Sequence, residues 1–201
     1  MYLGTETFLL NTGALPFSDE QFEQFCLDNK ELRIERDENR NIIIMAPTYA
    51  LSGSFNSLLI FLVTGWNVDA NFPGVVFDSS TGFTLPDGSM RSPDVSWISK
   101  SRWGNLSDAD KRSFAPICPE FVIELKSETD HLPHLQDKME HAWLKNGVQL
   151  GLLVNPETEQ VHVYRPATPT RILKGFDSKV SCDPELSGCE LDLSLLKGPL
   201  S

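Results

Sequence analysis

The stretch Cys118-Pro-Glu-Phe-Val-Ile-Glu-Leu-Lys-Ser-Glu-Thr-Asp130 carries two charges where a sheet interior is expected. Phe121, Val122, Ile123 and Leu125 form the apolar run of a buried strand, and an unpaired charge there is expensive. Side chains alternate faces along a strand, so Glu124 and Lys126 share one face while Phe121, Ile123 and Leu125 take the other. Taken alone, such a Glu-x-Lys reads as a structural ion pair at a strand end. A second acid changes the reading: Asp94, in Arg91-Ser-Pro-Asp-Val-Ser-Trp-Ile98, starts another strand with Val95 and Trp97 on the face opposite it. Two carboxylates and an ammonium group on neighbouring strands describe a site.

Two hard oxygen ligands suit Mg²⁺ or its substitute Mn²⁺, which keeps several waters and takes the rest of its shell from a phosphate. The metal polarises a phosphoryl oxygen and lowers the pKa of a bound water. Lys126 then orients or deprotonates that water, or stabilises charge developing on the phosphoryl oxygens. This is phosphodiester hydrolysis chemistry.

The elements that must position these groups are legible in outline. Ser18 reads as a helix N-cap, with Gln21 as its capping-box partner and Phe17 with Phe22 as a hydrophobic staple, opening a helix to about Asn29. Residues 32–45 place two β-rich runs around a polar turn, an antiparallel hairpin that Pro47 ends. Phe55, Leu58, Leu59, Leu62 and Val63 recur at helical spacing, so a longer helix spans 49–66. Three short strands follow over 75–99, then a polar loop over 103–114 with one helical turn. After the charged strand, Leu135, Met139, Ala142 and Trp143 mark one face of a helix that stops at Asn146-Gly147. A second hairpin turns at Pro156-Glu157-Thr158, and the tail from Thr170 wraps the rest. The order implies an α+β or mixed α/β layout around one sheet, in one domain covering 1–201.

Composition narrows the function. With 40% hydrophobic and 22% charged residues the chain is neither disordered nor membranous in type. The N-terminus shows no basic stretch followed by an apolar run, and the longest apolar run, Leu58–Val63, is too short to span a membrane, so a cytoplasmic protein with four reduced cysteines is expected. A formal charge of −11 opposes sequence-independent binding to nucleic acid, yet a divalent metal brings its own charge to an acidic site.

Pro93-Asp94 followed thirty positions on by Glu124-Leu-Lys126 resembles the PD-(D/E)xK nuclease signature, and its surroundings are similar to the Uma-type branch of restriction endonuclease-like proteins. Arg33-Ile-Glu35, the phrase GVVFDSSTGFTLPDGSMRSPDVSW, the run CPEFVIELKS and the start of the second hairpin, NGVQLGLLVNPE, resemble that branch in the same order, over about residues 32–166. The resemblance implies a restriction-endonuclease-like core, a central mixed β-sheet flanked by helices with an N-terminal β-hairpin, acting on DNA. It implies Asp94 and Glu124 as metal ligands, Lys126 as the catalytic lysine and Glu35 as a further acid. Members of the branch often carry an acid or histidine where the long helix begins, whereas this chain reads Tyr49-Ala-Leu-Ser-Gly-Ser54.

Other readings are weaker. His131, His134 and His141 lack a cysteine pair at zinc-ligand spacing and read as surface residues. Lys138 reads as a solvated helical lysine, although it could also face the site and hold phosphate. No Gly-rich phosphate loop, nucleophile elbow or HExxH pattern occurs. Against the nuclease stands a catalytically silent nuclease-fold binding or scaffolding module, conceivably a homodimer, suggested by the departure at the helix start and the negative charge.

Overall fold

The structure, a computed structural model, describes residues 7–13 and 17–200. The reading of the N-terminus as lacking an export signal therefore rests in part on positions 1–6, outside the described residues. The chain is built on two principal sheets. The first is antiparallel and has five strands: β1 (Thr7–Leu10), β2 (Arg33–Arg36), β3 (Ile42–Met45), and two short strands introduced below. Helix α1 (Asp19–Asp28) precedes β2, and its capping box is present: Ser18 Oγ accepts from the Gln21 amide, and Gln21 Oε1 accepts from the Ser18 amide. Phe17 packs edge-on against Phe25, 5.6 Å away. Phe22, expected to staple Phe17, is buried with Ile34, Ile42 and Met90, fixing α1 to one face of this sheet.

Helix α2 (Ala50–Asp69) leads to β4 (Gly74–Phe77). The three strands expected next are four, because β5 (Phe83–Thr84) and β6 (Met90–Arg91) join the first sheet in the order β1-β3-β2-β6-β5, while β4 and β7 (Val95–Ser99) belong to the second. Ser92-Pro93-Asp94 is the corner between the two sheets. Helix α3 (Lys100–Gly104) and a 3₁₀ turn at Asp110–Arg112 lead to β8 (Phe121–Leu125). A crossover helix follows: α4 (Leu132–Asp137), a π turn (Lys138–Trp143) and a 3₁₀ turn (Leu144–Asn146), stopped by Gly147 at φ 116°. It returns the chain to β9 (Leu150–Asn155), parallel to β8, and then to β10 (Gln160–Tyr164) and β11 (Arg171–Lys174). The second sheet runs β11-β10-β9-β8-β7-β4, and all its pairs except β8–β9 are antiparallel. A ribbon of β12 (Val180–Ser181) and β13 (Glu190–Leu191) precedes a 3₁₀ segment over Leu193–Leu200.

Strand alternation sorts the core of this mixed sheet. Val95, Trp97, Phe121, Ile123 and Leu125 pack beneath Phe55, Leu59 and Val63 of α2. Val122 and Leu153 point the other way, against Met139 and Trp143 of the crossover helix. By length and composition α2 could cross a membrane, with a mean hydropathy of 1.2, although the apolar run read from the sequence was shorter. Its buried face instead covers the sheet, and its Asn67 Oδ1 accepts from Trp97 Nε1 at 2.9 Å.

Candidate active site

Register brings the two predicted ligands together. Val95 pairs with Ile123 across β7 and β8, so the next residue outward on each strand, Asp94 and Glu124, stand opposite one another. Asp94 Oδ2 accepts from the Leu125 amide at 2.8 Å. Glu124 Oε1 accepts from Trp143 Nε1 at 2.7 Å and from Lys138 Nζ at 2.8 Å.

The third acid comes from the other sheet. Arg36 of β2 pairs with Met90 of β6, which sets Glu35 beside Arg91, and the two form an ion pair of 3.1 Å. The Ser92 amide and Lys138 Nζ reach Glu35 Oε1 at 3.0 and 3.2 Å. Glu35 thus closes the corner at Ser92, and Lys138 ties it to Glu124.

Lys138 and Trp143 reach the same oxygen because of the π turn. In an α-helix residues five apart diverge by about 140°; the wider coil from Lys138 to Trp143 brings them onto one side. The expectation that Lys138 is solvated is corrected here. Lys126 Nζ donates to the Ser127 carbonyl at 3.1 Å and pairs with Glu157 at 3.2 Å, beside a hollow lined by Phe55 and Pro156 that shares Ser52 and Ser127 with the cavity at Asp94 and Glu124. The strand ends at Leu125, and Asp130 Oδ2 draws Ser127 into a turn by accepting from its amide and hydroxyl at 2.8 and 2.6 Å. The Lys126 amide still donates to the Val154 carbonyl at 2.8 Å, so the backbone stays bonded to β9 as far as Lys126.

The electrostatics divide the acids. Burial opposes charge on Glu35, but Lys138, Arg91 and the Ser92 amide outweigh it and hold the carboxyl below its ordinary range. Burial raises Asp94 despite the Leu125 amide. For Glu124, burial, reinforced by Asp94 and Glu35 and only partly offset by Lys138, pushes the carboxyl up to about 7. Burial alone would lower Lys138, yet Glu124 and Glu35 hold it well above the usual lysine range. One ammonium serves three acids, so the opposed pair remains short of positive charge.

That deficit fits a cation. Asp94 and Glu124 line a cavity of about 150 Å³ together with Lys138, Arg33, Ser52 and Asn56. Asp94 receives its donor at Oδ2 and Glu124 both of its donors at Oε1, which leaves Oδ1 and Oε2 for a metal. Among the described residues no three His, Cys, Asp or Glu side chains form a complete metal cage. Two carboxylates beside a cavity roomy enough for water match the habit of Mg²⁺, which retains waters and accepts phosphate oxygens. Helix α2 contributes Ser52 and Asn56 to this cavity, and Asn56 Nδ2 donates to Ser79 Oγ at 3.2 Å.

A family model described as "Putative restriction endonuclease", the Uma2 family, matches residues 19–194. The chain belongs to the Uma2 family. The match reaches beyond the resembling phrases on both sides, taking in α1 and the C-terminal ribbon that packs on α2. Among solved structures, the crystal structure of an Anabaena variabilis protein described as a "putative nuclease belonging to DUF820" matches with a TM-score of 0.71 and 22% identity, covering 92% of this chain and 100% of that one. This likeness shows the fold: a central mixed sheet with flanking helices, as the Uma-type resemblance implied. No curated protein matches the chain.

Proposed function

We infer that this Uma2 chain is a metal-dependent endonuclease that hydrolyses DNA phosphodiester bonds, with Asp94 and Glu124 holding Mg²⁺ or Mn²⁺. The observation that carries this is the pair of carboxylates opposed across β7 and β8, both destabilised as anions, at a cavity with a charged lysine between neighbouring acids. The metal, when bound, supplies Lewis acidity at a phosphoryl oxygen and lowers the pKa of water. Lys138 is held protonated, so it does not serve as a base; its part is to stabilise negative charge on the phosphoryl oxygens. Glu35 stays ionised and positions Lys138, while Trp143 orients Glu124. Arg33, lining the same cavity, adds a second cation for phosphate.

The alternative, a silent nuclease-fold scaffold, draws on the stretch Tyr49-Ala-Leu-Ser-Gly-Ser54 at the start of α2, where relatives often place an acid or histidine, and on the formal charge of −11. Incubation of pure protein with plasmid and single-stranded DNA separates the two. Cleavage in Mg²⁺ or Mn²⁺, abolished by chelator and by Asp94→Asn, is the expected result. No cleavage, or cleavage that persists in Asp94→Asn, contradicts the enzyme reading.

A further inference from the structure

Beyond Glu35 and Lys138 lies a larger cleft of about 600 Å³, in the size range of small-ligand sites. One wall is the face of the five-stranded sheet turned away from α1. The ladders set Leu9 opposite Ile43, and Ile43 opposite Glu35, so an apolar row runs across β1 and β3 and ends on the acid. The facing wall is α4 with its π turn. There the exposed rings of His131 and His134 meet edge to face, with centroids 5.7 Å apart. Met45, Asp130, Leu135 and Lys138 line both this cleft and the smaller cavity holding Asp94 and Glu124. A strand whose phosphate lies at those acids has its neighbouring nucleotide at the cleft mouth.

The chemistry of the walls selects what enters. A slot between a sheet face and a helix, apolar on one side and aromatic on the other, suits a planar heterocycle. Around it Asp37, Glu38, Asp130 and Asp137 outnumber Arg91 and Lys138 and disfavour a phosphate backbone, yet carboxylates accept hydrogen bonds from base amino groups. We propose that this cleft is a base-binding slot that takes one unstacked nucleobase beside the scissile phosphate, so that the preferred substrate is unpaired nucleic acid, a single strand or a frayed end. The placement of the phosphate rests on the nuclease reading above. A base within a duplex is stacked on both faces and paired, and enters such a slot only after extrusion.

The test uses the full chain at low ionic strength in chelator, where metal-dependent cutting cannot occur, with fluorescein-labelled single-stranded DNA and a blunt duplex of the same sequence. Anisotropy is expected to show the single strand binding about tenfold more tightly than the duplex, the worth of one stacked base. Leu9→Trp fills the slot, and His134→Ala removes part of its aromatic rim from an exposed position; each is expected to weaken single-strand binding about fivefold or more and to leave duplex binding unchanged. Equal affinity for the two forms, including none for either, or single-strand affinity unchanged in both variants, overturns the slot. Calorimetry with Mn²⁺ alone keeps the two readings apart. Loss of strand affinity in these variants by a protein that binds no Mn²⁺ supports the slot and removes the nuclease reading; Mn²⁺ binding with no strand preference does the reverse.

Discussion

Lys138 Nζ lies 2.8 Å from Glu124 Oε1 and 3.2 Å from Glu35 Oε1, so one helical cation joins acids from two different sheets. Lys126, which the strand pattern offered for this place, pairs with Glu157 instead. Lys138→Met should lower kcat/KM for DNA cleavage by about a hundredfold or more, the usual effect of removing one preorganised charge from a transition state. Lys126→Ala should stay within about threefold of the native protein, since Lys126 Nζ bonds the exposed Glu157 and the Ser127 carbonyl rather than Asp94 or Glu124. Initial rates on a labelled oligonucleotide measure both; a reversed order would return the catalytic lysine to the strand.

Glu124 sets a pH dependence whose sign follows from its raised carboxyl. Its folded value is about 7 against an ordinary 4.5, so between those values the folded chain keeps a proton that the unfolded chain has released. Stability of the metal-free protein therefore falls as pH rises through that window. Asp94, also raised by burial, acts in the same direction. The thermal shift produced by Mn²⁺ should be small at about pH 5.5, where protons compete for the ligand, and should grow to a plateau above about pH 8. Differential scanning fluorimetry across this range reads both trends, and Glu124→Gln should flatten them.

Trp143 is fully buried and donates to Glu124 at 2.7 Å. Trp143→Phe keeps most of the ring but removes that donor, leaving a buried carboxylate oxygen with Lys138 alone. Denaturant unfolding should show a loss of about 2 kcal/mol, combining a missing hydrogen bond and a small void. Mn²⁺ affinity should fall with it, because Glu124 becomes harder to ionise.

Gly74 tests the seating of α2 on the sheet. A Cβ there would stand 2.3 Å from the Ile98 carbonyl oxygen and 2.4 Å from the Trp97 ring, and neither backbone nor buried indole can yield easily. Gly74→Ala should cost about 2–3 kcal/mol by overpacking, seen as a lower midpoint in chemical denaturation. Gly65→Ala, where the added carbon meets nothing within 4 Å, is its control and should leave the midpoint unchanged or raise it.

These expectations separate what the sequence shows from what only the fold can show. The capping box at Ser18, the hairpin around residues 37–41 and the helix over Phe55 and Val63 follow from local spacing, because caps, alternation and helical period are local rules, whereas the meeting of Asp94 and Glu124 rests on the register of β7 against β8. β5 and β6 are two residues each, too short for any period, and they leave for another sheet. Lys126 Nζ turns to Glu157 and the Ser127 carbonyl, a side-chain course that strand alternation does not set. Lys138 was hidden for a different reason: an α-helical spacing separates it from Trp143, and only the π turn aims both at Glu124. The acid that Lys138 shares with Arg91, Glu35, came from family likeness and not from pattern.

The most direct test of the account is calorimetric titration of the metal-free protein with Mn²⁺ at about pH 8, where Glu124 is ionised, beside Asp94→Asn and Lys126→Ala. The account predicts saturable binding by the native chain and by Lys126→Ala, and its loss in Asp94→Asn. Absence of binding in the native chain, or binding of equal strength in Asp94→Asn, would contradict a metal centre built on the opposed pair.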